Sequence, residues 1–145
     1  MDMGTVCSRL AALAATIPGM TGTGYLPDGV TTPHFFTAEY DVTFDTAHGR
    51  GCDNVELTCR ILVSRADDLS GQAKLHSLLS DGTYSLKTVL ESGRRTGADG
   101  TSLPATPGSA GACDDYRVTR YQAMRVYQHM GADYYGADLI VTVIG

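Results

Sequence analysis

Between residues 55 and 79 the spacing of apolar positions changes period. Val55, Leu57, Cys59, Ile61 and Val63 alternate with Glu56, Thr58, Arg60 and Leu62, the two-residue repeat of a strand with one buried side. Within a few residues the repeat becomes helical. Leu69, Ala73, Leu75 and Leu79 form one broad apolar arc, and that spacing predicts a helix from about 67 to 80. Asp67 and Asp68 stand where the unpaired amides of a helix start favour carboxylates, and Ser64 with Asp67 has capping-box spacing.

The same reading extends along the chain. Val6, Leu10, Leu13 and Ile17 form a helical stripe that predicts a helix over 3–16, ended by Pro18-Gly19. A passage rich in Gly, Thr and Pro follows to Pro33, with Tyr25-Leu26 expected as a short strand. Ala38, Tyr40, Val42 and Phe44 then alternate with Glu39, Asp41, Thr43 and Asp45, and the run resumes at Val55. This predicts a hairpin with matching apolar faces. Residues 85–92 give a short helix with Leu86, Val89 and Leu90 inward. Residues 93–112 hold five Gly and two Pro without an apolar period, as expected of a flexible loop. Strands are expected at about 115–121, 124–130 and 134–144, the last two joined by a turn at 131–133. Tyr135, Ala137, Leu139, Val141 and Val143 share one face of the last. The fold class expected is α+β, a mainly antiparallel sheet with helices packed on one face.

Composition narrows the picture. The 145 residues are one domain's length, so 1–145 is read as a single domain. A formal net charge of −5 argues against a general nucleic-acid-binding surface, because duplex affinity comes largely from Lys and Arg neutralising phosphates. No apolar run approaches the roughly 20 residues needed to cross a bilayer, and the N-terminal stretch, with Asp2 ahead of its Ala/Leu-rich middle, reads as an amphipathic helix and not a signal peptide. Cys7, Cys52, Cys59 and Cys113 contain no C-x-x-C pair, a spacing that disfavours zinc and suits free thiols, with Cys59 in the core.

Chemistry-bearing patterns are sparse. The chain has no G-x-S-x-G, Walker loop or H-E-x-x-H. Gly22, Gly24 and Gly29 miss the dinucleotide fingerprint and read as turn glycines. The four histidines are scattered, and the pairs Asp41/Asp45, Asp67/Asp68 and Asp114/Asp115 read as a polar strand side, a helix start and a loop exit. No catalytic, cofactor-binding or metal-ligating residue is therefore assigned. Two features keep an interface reading: Arg94 and Arg95 in the loop, which suit an acidic neighbour or a phosphate backbone, and Phe35 and Phe36 after Pro33. Strand edges add a third consideration, because pairing with an identical neighbour is a route to a ring.

Three segments carry a resemblance: LVSRADDLSGQAKL at 62–75, SLKTVLES at 85–92 and YYGADLIVTV at 134–143. With them the chain, from Leu10 to Val143, resembles the tail-terminator proteins of long-tailed actinobacterial phages. The resemblance implies a virion structural protein and not an enzyme. Copies of such a domain form a ring, typically a homohexamer, that caps the head-proximal end of the tail tube and stops its polymerisation. The ring would join the tail to the head-completion (neck) proteins at the head–tail junction, after assembly in the bacterial cytoplasm. DNA would pass through the lumen without specific binding, and no cofactor or membrane is implied. The loop at 93–112 and the cysteines depart from the usual pattern. Six copies at −5 give a ring of about −30, and an acidic lumen wall of Asp and Glu would let DNA slide. The rival readings are another neck, connector or tail-tube protein, or a small ligand-binding domain or enzyme using Asp67, Asp68 and His76.

Overall fold

The computed structural model describes residues 2–45, 53–65, 70–92, 113 and 115–145. Its elements run α1 (Met3–Ala14), β1 (Thr21–Thr23), β2 (His34–Thr43), β3 (Asn54–Arg65), α2 (Ser70–Leu79), α3 (Leu86–Ser92), β4 (Asp115–His129) and β5 (Ala132–Ile144). The strands form one sheet in the order β1-β2-β3-β5-β4, antiparallel except for the parallel β1–β2 pair. The buried residues of all three helices join one cluster with Val55, Leu57, Cys59, Ile61 and Val63 of β3 and Ala137, Leu139, Val141 and Val143 of β5. The expected α+β class, with helices on one side of a mostly antiparallel sheet, is what the chain adopts.

Asp2 starts α1: its carboxylate accepts from the Thr5 N–H at 3.3 Å and from the Thr5 hydroxyl at 2.6 Å, satisfying helix-start donors. Val6, Leu10 and Leu13 are buried, as is Ile17 just past the helix end. The helix lies directly on β1. A Cβ built at Gly22 would stand 2.6 Å from the Ala11 carbonyl oxygen, and one at Gly24 would stand 2.9 Å from the Ser8 nitrogen. Gly22, read from the sequence as a turn glycine, lies inside β1 and serves close helix–strand approach; Gly24, in the bend just past β1, keeps its turn reading and also lets the helix close in. β1 is Thr21–Thr23, and Tyr25 and Leu26, expected as a strand, lie outside it and are exposed.

Bulges explain most departures from the sequence pattern. β2 begins at His34, four residues earlier than the alternation indicated, and its register with β3 shifts between Thr37 and Glu39. Before that shift Phe35 and Thr37 stand opposite Ile61 and Cys59, and after it Tyr40 and Val42 stand opposite Leu57 and Val55. Core-facing positions thus switch from odd to even numbers, the signature of one inserted residue. The matching hairpin faces hold only in part: Tyr40 is half exposed and Phe44, beyond the strand end, is exposed. β4 carries two such shifts, at Val118/Arg120 and Gln122/Arg125. The strands expected at 115–121 and 124–130 are one continuous strand whose alternation the bulges interrupt. It turns into β5 through Met130 and Gly131, with φ of 48° and 80°; two left-handed central residues suit the twist of a tight hairpin.

In α2 the buried positions are Gly71, Leu75 and Leu78, with Leu79 partly buried. Ala73, expected in the arc, is exposed, because the helix is rotated to bring Leu78 inward. Leu69, Asp67, Asp68 and the segment 93–112 lie outside the described residues. In α3 Leu86, Val89 and Leu90 face the core as expected.

Candidate interaction surface

The sheet face away from the helices divides into two halves. Near the β4–β5 turn it carries a second small core of Phe36, Leu62, Tyr127 and Tyr134, against which Val30, Ala38 and Ala132 pack. Leu62, on the polar side of the β3 alternation, is buried for this reason. His34 and His129 flank Phe36, with ring centroids 6.0 and 5.7 Å away. They tie the 21–33 segment to the sheet: the His34 ring nitrogens lie 2.6 and 3.1 Å from the Thr21 and Thr23 hydroxyls, and His129 Nε2 lies 3.0 Å from the Pro27 carbonyl oxygen. Burial, then the nearby His129, lowers the His34 pKa by disfavouring the charged ring.

A bidentate ion pair closes this core. Arg60 donates through Nε to Asp138 Oδ1 at 2.8 Å and through Nη2 to Oδ2 at 3.2 Å. Arg60 also lies 4.2 Å from the centroid of the Tyr127 ring, and Arg125 4.9 Å from it, so two guanidinium groups share one aromatic ring. Burial alone would pull Arg60 down, but the hydrogen bonds and charge of Asp138 outweigh it and the pKa is raised. Tyr127 is pushed up by burial and then by Asp138. Arg60 and Asp138 stand directly opposite across β3 and β5. A lone acid in the apolar run of β5 was the available sequence signal, but its partner 78 residues away needed the register.

Beyond the ion pair the face is mostly polar and exposed on its β2 and β4 sides, with Ile140 buried between them. Reading across β2, β3, β5 and β4, one row is Asp41, Glu56, Thr142 and Arg117. A neighbouring row is Glu39, Thr58, Ile140 and Arg120. Asp41, Glu39, Arg117 and Arg120 are all exposed. Within these two rows acids occupy the β2 side and arginines the β4 side, and a 3.4 Å contact joins Arg120 to Glu56; one row beyond Arg117, Asp115 places an acid on the β4 side. The backbone edge of β4 is closed at one point: the Val118 N–H donates to Glu91 Oε1 at 3.2 Å, and Lys87 Nζ donates to the Val118 carbonyl at 3.3 Å. Lys87 and Glu91 are themselves paired at 2.9 Å. A charged clamp of this kind blunts a strand edge.

The sequence candidates fare unevenly. Phe35 and Phe36, read as interface residues, are fully buried; their ring faces sit on opposite sides of β2, Phe35 in the main core and Phe36 in the small one, so neither is free to meet a partner. Arg94 and Arg95 lie outside the described residues, as do Asp67, Asp68, Asp114 and Cys52. His76 is exposed on α2 beside a depression lined by Gln72, Leu75, Met124, Arg125 and Tyr135. Cys7, Cys59 and Cys113 are buried free thiols, and burial pushes Cys59 up to about 12, a poor nucleophile. Among the described residues no group of three or more His, Cys, Asp or Glu is placed to hold a metal, and no helix is long and apolar enough to cross a membrane. In comparison with known proteins, the chain matches no protein-family model and no curated protein.

Proposed function

We propose that the chain is a non-catalytic virion structural protein, a tail terminator whose copies close into a ring at the head-proximal end of the tail tube. The observation that carries this reading is the asymmetry of the sheet. One face is committed to the fold by three helices, while among the described residues the β2 and β4 sides of the other are exposed and bear opposite charge in two rows. A chain that works by assembly needs such a surface, and its polarity suits contact between copies facing the same way. Exposed Tyr40, Phe44, Met124, Val126 and Ile144 on or beside the edge strands and their partners supply apolar area of the kind protein interfaces bury. In this reading the ring stops tube growth with one rim, meets the neck proteins with the other, and lets DNA pass through its lumen.

The test is the mass of the purified chain in solution, alone and mixed with the tail-tube protein of the same phage. A discrete closed oligomer that binds tube ends and halts elongation is expected. A monomer that neither self-associates nor touches the tube overturns the reading and favours the ligand-binding alternative beside His76.

A further inference from the structure

The open face assigns a direction to that assembly. We infer that the acidic β2 side of one copy docks on the basic β4 side of the next, head to tail, with Asp41 meeting Arg117 and Glu39 meeting Arg120. This inference rests on the ring proposed above and specifies its contact.

Three observations carry it. First, in the two rows the charges are segregated by side on the same face: Glu39 and Asp41 on β2, Arg117 and Arg120 on β4, with Asp115 of β4 in the row beyond. A two-fold contact made side by side would set acid against acid or arginine against arginine, which like-charge repulsion opposes; for copies set side by side, only a heterologous contact matches the signs. Second, the complementary residues lie level. Asp41 and Arg117 end one row of the sheet, and Glu39 and Arg120 end another. A neighbour generated by rotation about an axis along the strands, with no rise, brings each acid opposite its arginine. A rise along the strands would displace these partners, so pairing of Asp41 with Arg117 and of Glu39 with Arg120 together requires an operator without rise, that of a closed ring. Third, the strand directions suit the contact, since β2 and β4 run oppositely in the sheet and meet antiparallel in neighbouring copies.

Main-chain pairing is not the means. The Val118 N–H and carbonyl are already occupied by Glu91 and Lys87, and both β2 and β4 are bulged beside the charged residues. Recognition falls to side chains over the open face. Arg120 gives up a contact with Glu56 whose partners are both more than half exposed, and such exposed pairs exchange at little cost. Among the described residues Asp41 and Arg117 have no ion pair to give up. The charges thus set which edge meets which, while exposed apolar side chains nearby supply contact area.

Two charge-reversed variants test this. One carries Glu39→Lys and Asp41→Lys, so both of its edges are basic; the other carries Arg117→Glu and Arg120→Glu, so both are acidic. All four sites are exposed, and thermal unfolding checks that each variant folds. The inference expects each variant alone to be monomeric and an equal mixture to regain the wild-type mass in sedimentation. Wild-type assembly is expected to weaken at least tenfold between 0.05 and 0.5 M salt, on the order of what screening does to several exposed pairs. If the wild type assembles and both variants assemble equally well, the edge contact is wrong and the ring survives. If the wild type stays monomeric at every concentration, both fail. If the Arg117/Arg120 variant loses only affinity for a duplex oligonucleotide, with its mass unchanged, the arginines serve a polyanion and the inference is overturned.

Discussion

The helix-covered face and the open face are built from alternate residues of the same four long strands, yet they obey different rules. On the covered face Val55, Leu57, Cys59 and Ile61 meet Val143, Val141, Leu139 and Ala137 row by row, all essentially inaccessible. On the other face the intervening rows carry Glu56, Thr58 and Arg60 against Thr142, Ile140 and Asp138. Burial holds the first face together without direction. On the second, charges are arranged by position, dense near the ion pair and segregated toward the edges. Stability and assembly can therefore be altered separately, and mutation can separate them.

The largest effect is expected on the covered face. Leu139→Ala removes a fully buried side chain and should cost about 2–5 kcal/mol in urea unfolding; a loss below about 1 kcal/mol would mean the face is loosely packed. Next comes Asp138→Ala. It strands Arg60, whose side chain is about a quarter exposed, so the full penalty for breaking a buried pair is discounted to about 1–3 kcal/mol. The double variant Arg60→Met with Asp138→Leu should recover most of that loss, and failure to do so would show that the pair contributes more than mutual neutralisation. Gly22→Ala, which drives a methyl into the Ala11 carbonyl, should cost about 1–3 kcal/mol by overpacking.

A smaller effect is expected from acid. The His34 pKa is lowered on folding from its ordinary 6.5, so the unfolded chain binds the proton more readily. The contribution of the neutral ring is complete above about pH 6.5 and is lost as pH falls toward the lower folded value. His129 is the charged neighbour that adds to burial in that shift, and His34→Gln should flatten the decline in stability between about pH 6.5 and 5, measured by unfolding at each pH; an unchanged slope would remove His34 from the account. Smallest of all, Glu56→Ala on the open face should change stability by no more than about 0.5 kcal/mol. A loss comparable to that of Leu139→Ala would erase the distinction between the faces.

The sequence exposed the covered face more clearly than the open one, for a physical reason. Alternation reports which residues share a side, and for β3 and β5 that was correct residue by residue. It does not report how many sides are covered. Phe35 and Phe36 after Pro33 read as interface candidates, but adjacent strand residues point to opposite sides, and the small core beneath the 21–33 segment takes the second. Bulges at Thr37/Glu39, Val118/Arg120 and Gln122/Arg125 shift the phase by inserting residues, so β4 read as two strands and Ala38 as a core position. The charged rows were illegible for a different reason. Asp41 and Arg117 become complementary only when four strands are aligned in register, and no local spacing encodes that.

Cross-linking tests the central claim most directly, with Cys52 replaced by Ser and cysteines introduced by Asp41→Cys and Arg117→Cys. Within one chain these positions are separated by three strand spacings, roughly 14 Å, too far for a disulfide. On mild oxidation the account predicts a ladder of covalent oligomers from the double variant, ending at a closed species, and none from either single variant. Disulfide-linked dimers from a single variant, or no ladder from a double variant that still assembles, would contradict it.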